Sequence, residues 1–309
     1  MVMPKDLHQL PRLRDSLSFL YVEHAIVEQD DLSIRIIRAD GQVPVPIAAM
    51  TVLMLGPGVS ITHAAIKAIC DSGCSVVWCG QAASRFYAMG MGETRSADNL
   101  LKQAAACMDE ERHMQVVRRM YLRCFPDMAC ENMTLQQIRG LEGIRVREAY
   151  RQFAKQYGVA WKKRDYKTTD WDDADPINHA LSVANNVLYS ICQSAIVSLG
   201  YSTGLGFIHT GKMMSFVYDI ADMYKAECSI PAAFSVVGNG YADLDGEVRT
   251  ACRRIIKAQK ILKRIPEDIA WVLETTDDGE HGEELTVGEL WEIGGQRISG
   301  GMNHAGKDE

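Results

Sequence analysis

The spacing of apolar side chains changes period near residue 95, and that change divides the chain. From residue 17 to 90 the apolar runs are short and are separated by turn residues, the pattern of strands. Ser18-Phe19-Leu20-Tyr21-Val22 opens the set and Leu32 to Ile37 alternates with period two. Asp40-Gly41 is a hairpin signal, and Val43 to Ile47, with two prolines, suits an edge strand. Met50 to Leu55 predicts a buried strand that stops at Gly56-Pro57-Gly58. Thr62 to Asp71 predicts a short helix, Cys74 to Cys79 a second buried strand, and Arg85 to Ala88 one more.

Gly90 to Asn99, by its glycines and polar residues, reads as a linker. Beyond it the period becomes helical. Leu100 to Arg123 predicts one long helix with a polar, basic face at Gln115, Arg118, Arg119 and Arg123. Thr134-Leu135-Gln136-Gln137 is a capping-box pattern, Ile177 to Leu199 follows Asp175-Pro176, and Glu247 to Arg264 is the clearest amphipathic segment. The expected fold class is α+β: a small N-terminal β-rich domain with one short helix (1–89), a linker (90–99), a larger all-α domain (100–283) and an acidic, flexible C-terminal tail (284–309).

Composition refines this picture at three points. No strictly apolar run approaches the length of a membrane span and no basic-then-apolar leader opens the chain, so a cytoplasmic protein with no membrane partner is expected. The nine cysteines show no paired zinc spacing and read as reduced thiols. The net charge of −7 is unevenly distributed: residues 265–309 carry 2 basic against 12 acidic side chains, which leaves the body at +3. Between Arg112 and Arg164 there are 12 Lys or Arg against 4 Asp or Glu. Local field decides whether a polyanion docks, so an acidic total does not exclude a nucleic-acid partner.

The candidate chemistry centres on residues 206–222. His209 sits in a Gly-flanked loop, and Asp219 and Asp222, three apart, share a face of an otherwise apolar helix. Buried carboxylates need a cation. A third acidic group comes from Glu142, on a largely apolar stripe with Leu135, Ile138, Arg145 and Ala149, where Gly140 and Gly143 suggest that something approaches closely. One imidazole with hard carboxylates suits Mg²⁺ or Mn²⁺, and zinc also fits such donors. Ordinary salt bridges would account for the same residues. Arg249, Arg253, Lys257, Lys260 and Arg264 recur at spacings of four, four, three and four, a cationic stripe suited to phosphate. Lys212 could reach a phosphate at the same centre, and Tyr166, Tyr189 and Tyr218 could stack on bases.

Leu141-Glu142-Gly143, Gly206-Phe207-Ile208-His209-Thr210-Gly211 and Phe216-Val217-Tyr218-Asp219-Ile220-Ala221-Asp222 resemble the signature motifs of the CRISPR-associated spacer-acquisition integrase, the universal adaptation nuclease subunit. The resemblance runs from about residue 15 to 265, includes Pro57-Gly58 and His63-Ala64-Ala65, and points to the type I-E branch. It implies a metal-dependent DNA endonuclease and integrase that inserts prespacer DNA into the CRISPR array, a 3′-hydroxyl attacking the repeat boundary. It implies Glu142, His209 and Asp222 as ligands of Mg²⁺ or Mn²⁺, with Asp219 also needed, and DNA contacts at Arg85, Lys212, Arg249 and Arg253. The partners implied are double-stranded DNA (prespacer and repeat), a homodimer mate and the small second adaptation protein in a heterohexamer. An aromatic wedge splays duplex ends in some relatives, and His24 stands near that place. Two other readings stay open: a non-catalytic DNA-binding scaffold, and a repair nuclease for branched DNA.

Overall fold

The computed structural model describes residues 19–31, 33–47, 50–83, 85–90, 97–126, 133–164, 175–273, 289–291 and 297–299, with the side chains of 82, 135, 139, 142 and the last two segments outside that description. Contacts group the chain into two compact units, residues 1–275 and 276–309.

The first unit begins with β1 (Phe19–Val22), β2 (Ile26–Asp30), β3 (Ser33–Arg38), β4 (Gly41–Val45), β5 (Val52–Leu55), β6 (Ser60–Ile61), α1 (His63–Asp71), β7 (Ser75–Cys79) and β8 (Phe86–Gly90). These strands make two sheets. One has the order β1-β5-β7-β8, parallel except for β8; the other has the order β4-β3-β2-β6. Strand β5 is buried along its whole length because both faces of its sheet are covered, which is why it reads as continuous apolar sequence. Leu53, Leu55 and Val76 face the other sheet with Val27, Ile34 and Ile36, and Val52, Met54 and Val77 form a second cluster with Cys79 and Ala83.

The helical part follows as α2 (Asp98–Met108), α3 (Glu110–Cys124), α4 (Leu135–Tyr157), α5 (Pro176–Ser198), α6 (Ser215–Asp222), α7 (Ser229–Asn239), α8 (Leu244–Ala258) and α9 (Ile261–Leu273). Helix α5 is the axis: α6, α7, α8 and α9 all pack on it, and β7 and β8 lean against it. Its length and mean hydropathy would suffice for a membrane span, but most of it is buried inside the protein. Two of its polar residues, Asn178 and Ser182, tie it to the segment before it. Arg164 donates to the Asn178 carbonyl and Oδ1 (3.0 and 2.9 Å) and to Ser182 Oγ (2.8 Å).

The fold class agrees with expectation, while several elements differ from it. Strand β2 was not foreseen, because Ile26-Val27-Glu28-Gln29-Asp30 carries only two apolar residues. The single helix expected from Leu100 to Arg123 is two, broken at Asp109, whose side chain caps α3 by accepting from Arg112 N at 2.8 Å. Glu247 to Arg264 is likewise two helices, parted at Lys260 with φ +51°. The capping box is present: Gln137 N donates to Thr134 Oγ1 and Thr134 N to Gln137 Oε1. Gly140 has no atom within 4 Å of where a Cβ would stand, and at Gly143 only Arg147 of the same helix comes near; no neighbour approaches there among the described residues. Within the stretch read as a tail, β9 (Glu289–Trp291) and β10 (Arg297–Ser299) pair antiparallel. The eight described cysteines are free, five buried and three half-buried.

Candidate functional site

The loop between α5 and α6 carries His209, and α6 carries both aspartates. Ser215 starts α6 and ties the loop back, its Oγ accepting from Lys212 N at 3.1 Å while Phe216 N donates to Thr203 O at 2.9 Å. Only glycine fits at 206, where a Cβ would lie 2.2 Å from His209 O and 2.7 Å from Ser215 Cβ. Gly211, at φ +81°, supplies the left-handed turn that returns the chain to the helix.

That folding brings three consecutive amides onto one carboxylate. Asp219 is fully buried, and its Oδ2 accepts from Phe207 N (2.6 Å) and Ile208 N (3.1 Å). Its Oδ1 accepts from His209 N (2.9 Å) and lies 2.8 Å from His209 Nδ1. Converging amides stabilise an anion, so the cation expected for Asp219 from the sequence is replaced by backbone dipoles and an imidazole. Asp219 therefore orients His209. The His209 side chain is 44% exposed. With Nδ1–H held by a carboxylate, the ring presents Nε2 and its lone pair outward, the usual arrangement of a metal-binding histidine.

Asp222, one turn further along, is half-buried and meets Lys225 Nζ at 2.5 Å. Burial disfavours the Lys225 charge, but the Asp222 carboxylate outweighs it and, with Tyr189, holds the ammonium well above its usual range. The His209 imidazole is also raised, first by its hydrogen bond to Asp219, against partial burial, and then by the fields of Asp222 and Asp219, with Lys225 opposing. Asp222 thus acts on the same ring through its charge. Tyr218 packs edge-on to His209 at 5.7 Å, Tyr189 edge-on to Tyr218 at 5.1 Å, and Lys225 Nζ lies 5.4 Å from the Tyr189 ring centroid.

The donor types fit a hard divalent cation: one oriented imidazole and one carboxylate whose charge the Lys225 ammonium neutralises. Among the described residues no three His, Cys, Asp or Glu side chains form a ligand cluster. Glu142 lies in α4, and its side chain is outside the described residues, as is all of Tyr166. Lys225 was missed in the sequence; its spacing of three from Asp222 was the available signal.

The expected DNA contacts are spread more widely. Arg85 and Lys212 are exposed. The cationic stripe is interrupted: Lys260 sits at the junction of α8 and α9, and Arg264 is bound to Glu227 at 2.9 and 3.0 Å over the Tyr224 ring. Arg249 is half-buried, 3.6 Å from Asp245, whereas Arg253 is exposed. Arg249, Arg253 and Arg254 line a cleft of about 550 Å³ with Gln81, Asp243 and Glu247. His24 is exposed in the β1–β2 turn, with φ +50° and its ring against Gly58.

Residues 19–129 and 126–252 match the family model described as CRISPR associated protein Cas1. The chain belongs to the Cas1 family. The CRISPR-associated endonuclease Cas1 2 of Thermus thermophilus is 44% identical over 309 residues, covering 98% of this chain and 95% of that one. The Cas1 endonuclease of Escherichia coli K12 is 37% identical over 260 residues, covering 84% and 85%. Among solved structures, a TtCas1–DNA complex superposes with a TM-score of 0.78 at 47% identity, covering 86% of this chain and all of that one. A Cas1 protein from Thermotoga maritima, at 15% identity and TM-score 0.57, shares the fold. The curated relatives are named as CRISPR-associated endonucleases.

Proposed function

We propose that this Cas1-family chain is the metal-dependent endonuclease and integrase of CRISPR adaptation, of the type I-E branch. In this reading a prespacer 3′-hydroxyl attacks a phosphodiester at the repeat boundary, forming one P–O bond and releasing another strand's 3′-hydroxyl. The observation that carries it is the His209 ring, fixed through Nδ1 by a buried Asp219 and turned outward beside Asp222. Glu142, His209 and Asp222 would hold Mg²⁺ or Mn²⁺, which would lower the pKa of an attacking hydroxyl and screen charge on the scissile phosphate. Asp219 holds the proton of the neutral ring on Nδ1, which leaves Nε2 as the nitrogen for that role. Lys225 neutralises Asp222 until a competing cation or phosphate arrives. Lys212, with Tyr189 and Tyr218, contacts the DNA at the centre, and Arg85, Arg249 and Arg253 contact its backbone further out; Tyr166 belongs to the same set. The crystallised DNA complex of a 47% identical relative supports the choice of DNA.

The same reading takes the protein as a cytoplasmic homodimer, with boundaries near 90–99 between its β-rich and helical domains, that joins the small second adaptation protein in a heterohexamer. The test is strand transfer and cleavage on prespacer and branched DNA with Mn²⁺ or Mg²⁺. Product should disappear with a chelator and in Glu142→Ala and His209→Ala, while DNA binding persists. Activity in both variants would refute the metal site. DNA binding with no product from the wild type under any divalent ion would favour a scaffold.

A further inference from the structure

The break between α2 and α3 leaves carbonyls at the end of α2 without intrahelical partners. One of them, Cys107 O, lies 3.1 Å from His113 Nδ1. The other nitrogen of the same ring, Nε2, lies 2.8 Å from Phe207 O, in the loop that carries His209. Both partners are carbonyl oxygens, which only accept, so the ring does the donating: the neutral form serves one carbonyl and the cation serves both. The Phe207 ring packs edge-on to His113 at 5.1 Å, so both the main chain and the side chain of residue 207 are held.

Phe207 O and Ile208 N belong to one planar peptide, and in a trans peptide they point in opposite directions. Ile208 N donates to Asp219 Oδ2 at 3.1 Å. This peptide is therefore gripped from both ends, by His113 of α3 through its oxygen and by Asp219 of α6 through its hydrogen. The preceding peptide is held alike, Gly206 O by Cys107 Sγ at 3.7 Å and Phe207 N by Asp219 at 2.6 Å. Further back, the fully buried Gln103 of α2 donates to Ser202 O (3.0 Å) and Leu205 O (2.9 Å) and accepts from Ser202 N (2.8 Å). Asn99, one turn earlier, donates to Leu199 O at 2.8 Å. Asn99, Gln103 and Cys107 are spaced by four and fall on one helix face.

We propose that His113 is a positioning residue for His209, acting through an unbroken hydrogen-bond line: His113 Nε2, the 207–208 peptide, the Asp219 carboxylate and His209 Nδ1. Asp219 alone could hold three amides in more than one arrangement. The carbonyls captured by Gln103 and His113 fix which way those peptides turn, and so fix the carboxylate and the ring beyond it. Hydrogen bonds in such a chain polarise one another, so loss at the His113 end is felt at His209. The inference rests on the reading of His209 as the working imidazole of the site.

The test uses full-length protein with ¹⁵N-labelled histidine, metal-free, alongside Mn²⁺ titration. In the wild type, at a pH high enough to leave the His209 ring neutral, His113 Nε2 should carry a proton and His209 should show protonated Nδ1 with unprotonated Nε2. His113→Phe keeps the ring and removes both donors. The His209 signals should then shift toward a mixture of tautomers, Mn²⁺ affinity should fall about 10-fold or more, the range for partners behind a metal ligand, and kcat should fall with KM unchanged. Ile269→Val, a buried change in α9, controls for general loss of stability and should leave the His209 signals in place. Unprotonated His113 Nε2 in the wild type, or unmoved His209 signals in His113→Phe, would overturn the proposal. The wild-type measurement decides even if the variant does not fold. A His209 that changes tautomer in His113→Phe yet binds no Mn²⁺ in the wild type would uphold the positioning role and refute the metal reading.

Discussion

Replacing Asp219 by asparagine isolates the orienting role of that carboxylate with almost no change of shape. Asp219 accepts four N–H groups, two on each oxygen. Asparagine has one oxygen, so two bonds survive in either orientation and two N–H groups face an NH₂. Hydrogen bonds to a charged group contribute about 1.5–3 kcal/mol each, so two lost bonds total roughly 3–6 kcal/mol. Asparagine is neutral and costs less to bury, which favours the lower end, about 3 kcal/mol. Against a typical stability of roughly 5–15 kcal/mol the variant stays folded. At about 2–4 °C per kcal/mol its Tm should drop by roughly 6–12 °C. The chemical effect should be larger. If the oxygen serves Phe207 and Ile208, the NH₂ faces His209 Nδ1 and drives the proton to Nε2, removing the lone pair that a metal needs. A mis-set histidine tautomer in the serine-protease triad costs about 10⁴-fold in kcat. Thermal melting, Mn²⁺ calorimetry and a branched-DNA cleavage assay together read both effects. A variant that melts within about 2 °C of the wild type and binds Mn²⁺ equally well would refute the argument.

Three further outcomes are expected. Gly206→Ala places a Cβ against the His209 carbonyl, and since the obstacle is backbone, metal binding should be lost along with about 1–3 kcal/mol or more of stability, read by calorimetry and urea unfolding. Asp268→Ala strands the Arg123 guanidinium, bound at 2.7 and 3.0 Å, and the Tyr224 hydroxyl; removing one partner of such a pair should cost on the order of 3 kcal/mol in chemical denaturation. Arg253→Ala should reduce the slope of log affinity for duplex DNA against log salt by about one unit, because an exposed arginine exchanges counterions with phosphate. Arg249→Ala should reduce it less, since Asp245 already holds that side chain; equal slopes would remove the distinction.

The residues that read most clearly in the sequence are those whose role depends on near neighbours. Thr134 and Gln137 form a capping box within one turn, β5 is buried throughout and β7 everywhere but at Trp78, and His209, Asp219 and Asp222 lie within fourteen residues. What distance in sequence concealed was the meaning of the polar groups. Asp219 looked like a carboxylate in need of a cation, and its partners proved to be amides of a loop ten to twelve residues upstream. Nothing in the sequence singles out Gln103 or His113, because the loop each holds lies 94 to 102 residues away. The stripe from Arg249 to Arg264 misled for the opposite reason: helical spacing continued through a junction where the backbone did not.

Helix α5 carries an implication for how the protein is made. It contains no charged residue from Pro176 to Ser198, and the helices that cover it all follow it in the chain. The last of them, α9, ends at Leu273, 75 residues downstream of Ser198. At a synthesis rate of about 5–20 residues per second, some 4–15 seconds separate the emergence of α5 from that of its final cover. For that interval the nascent chain holds this long uncharged segment against β7, β8 and the ribosome's surroundings alone. A ribosome-bound chain halted just after residue 198 should therefore present this helix, without its later covering helices, to a protease or a chaperone.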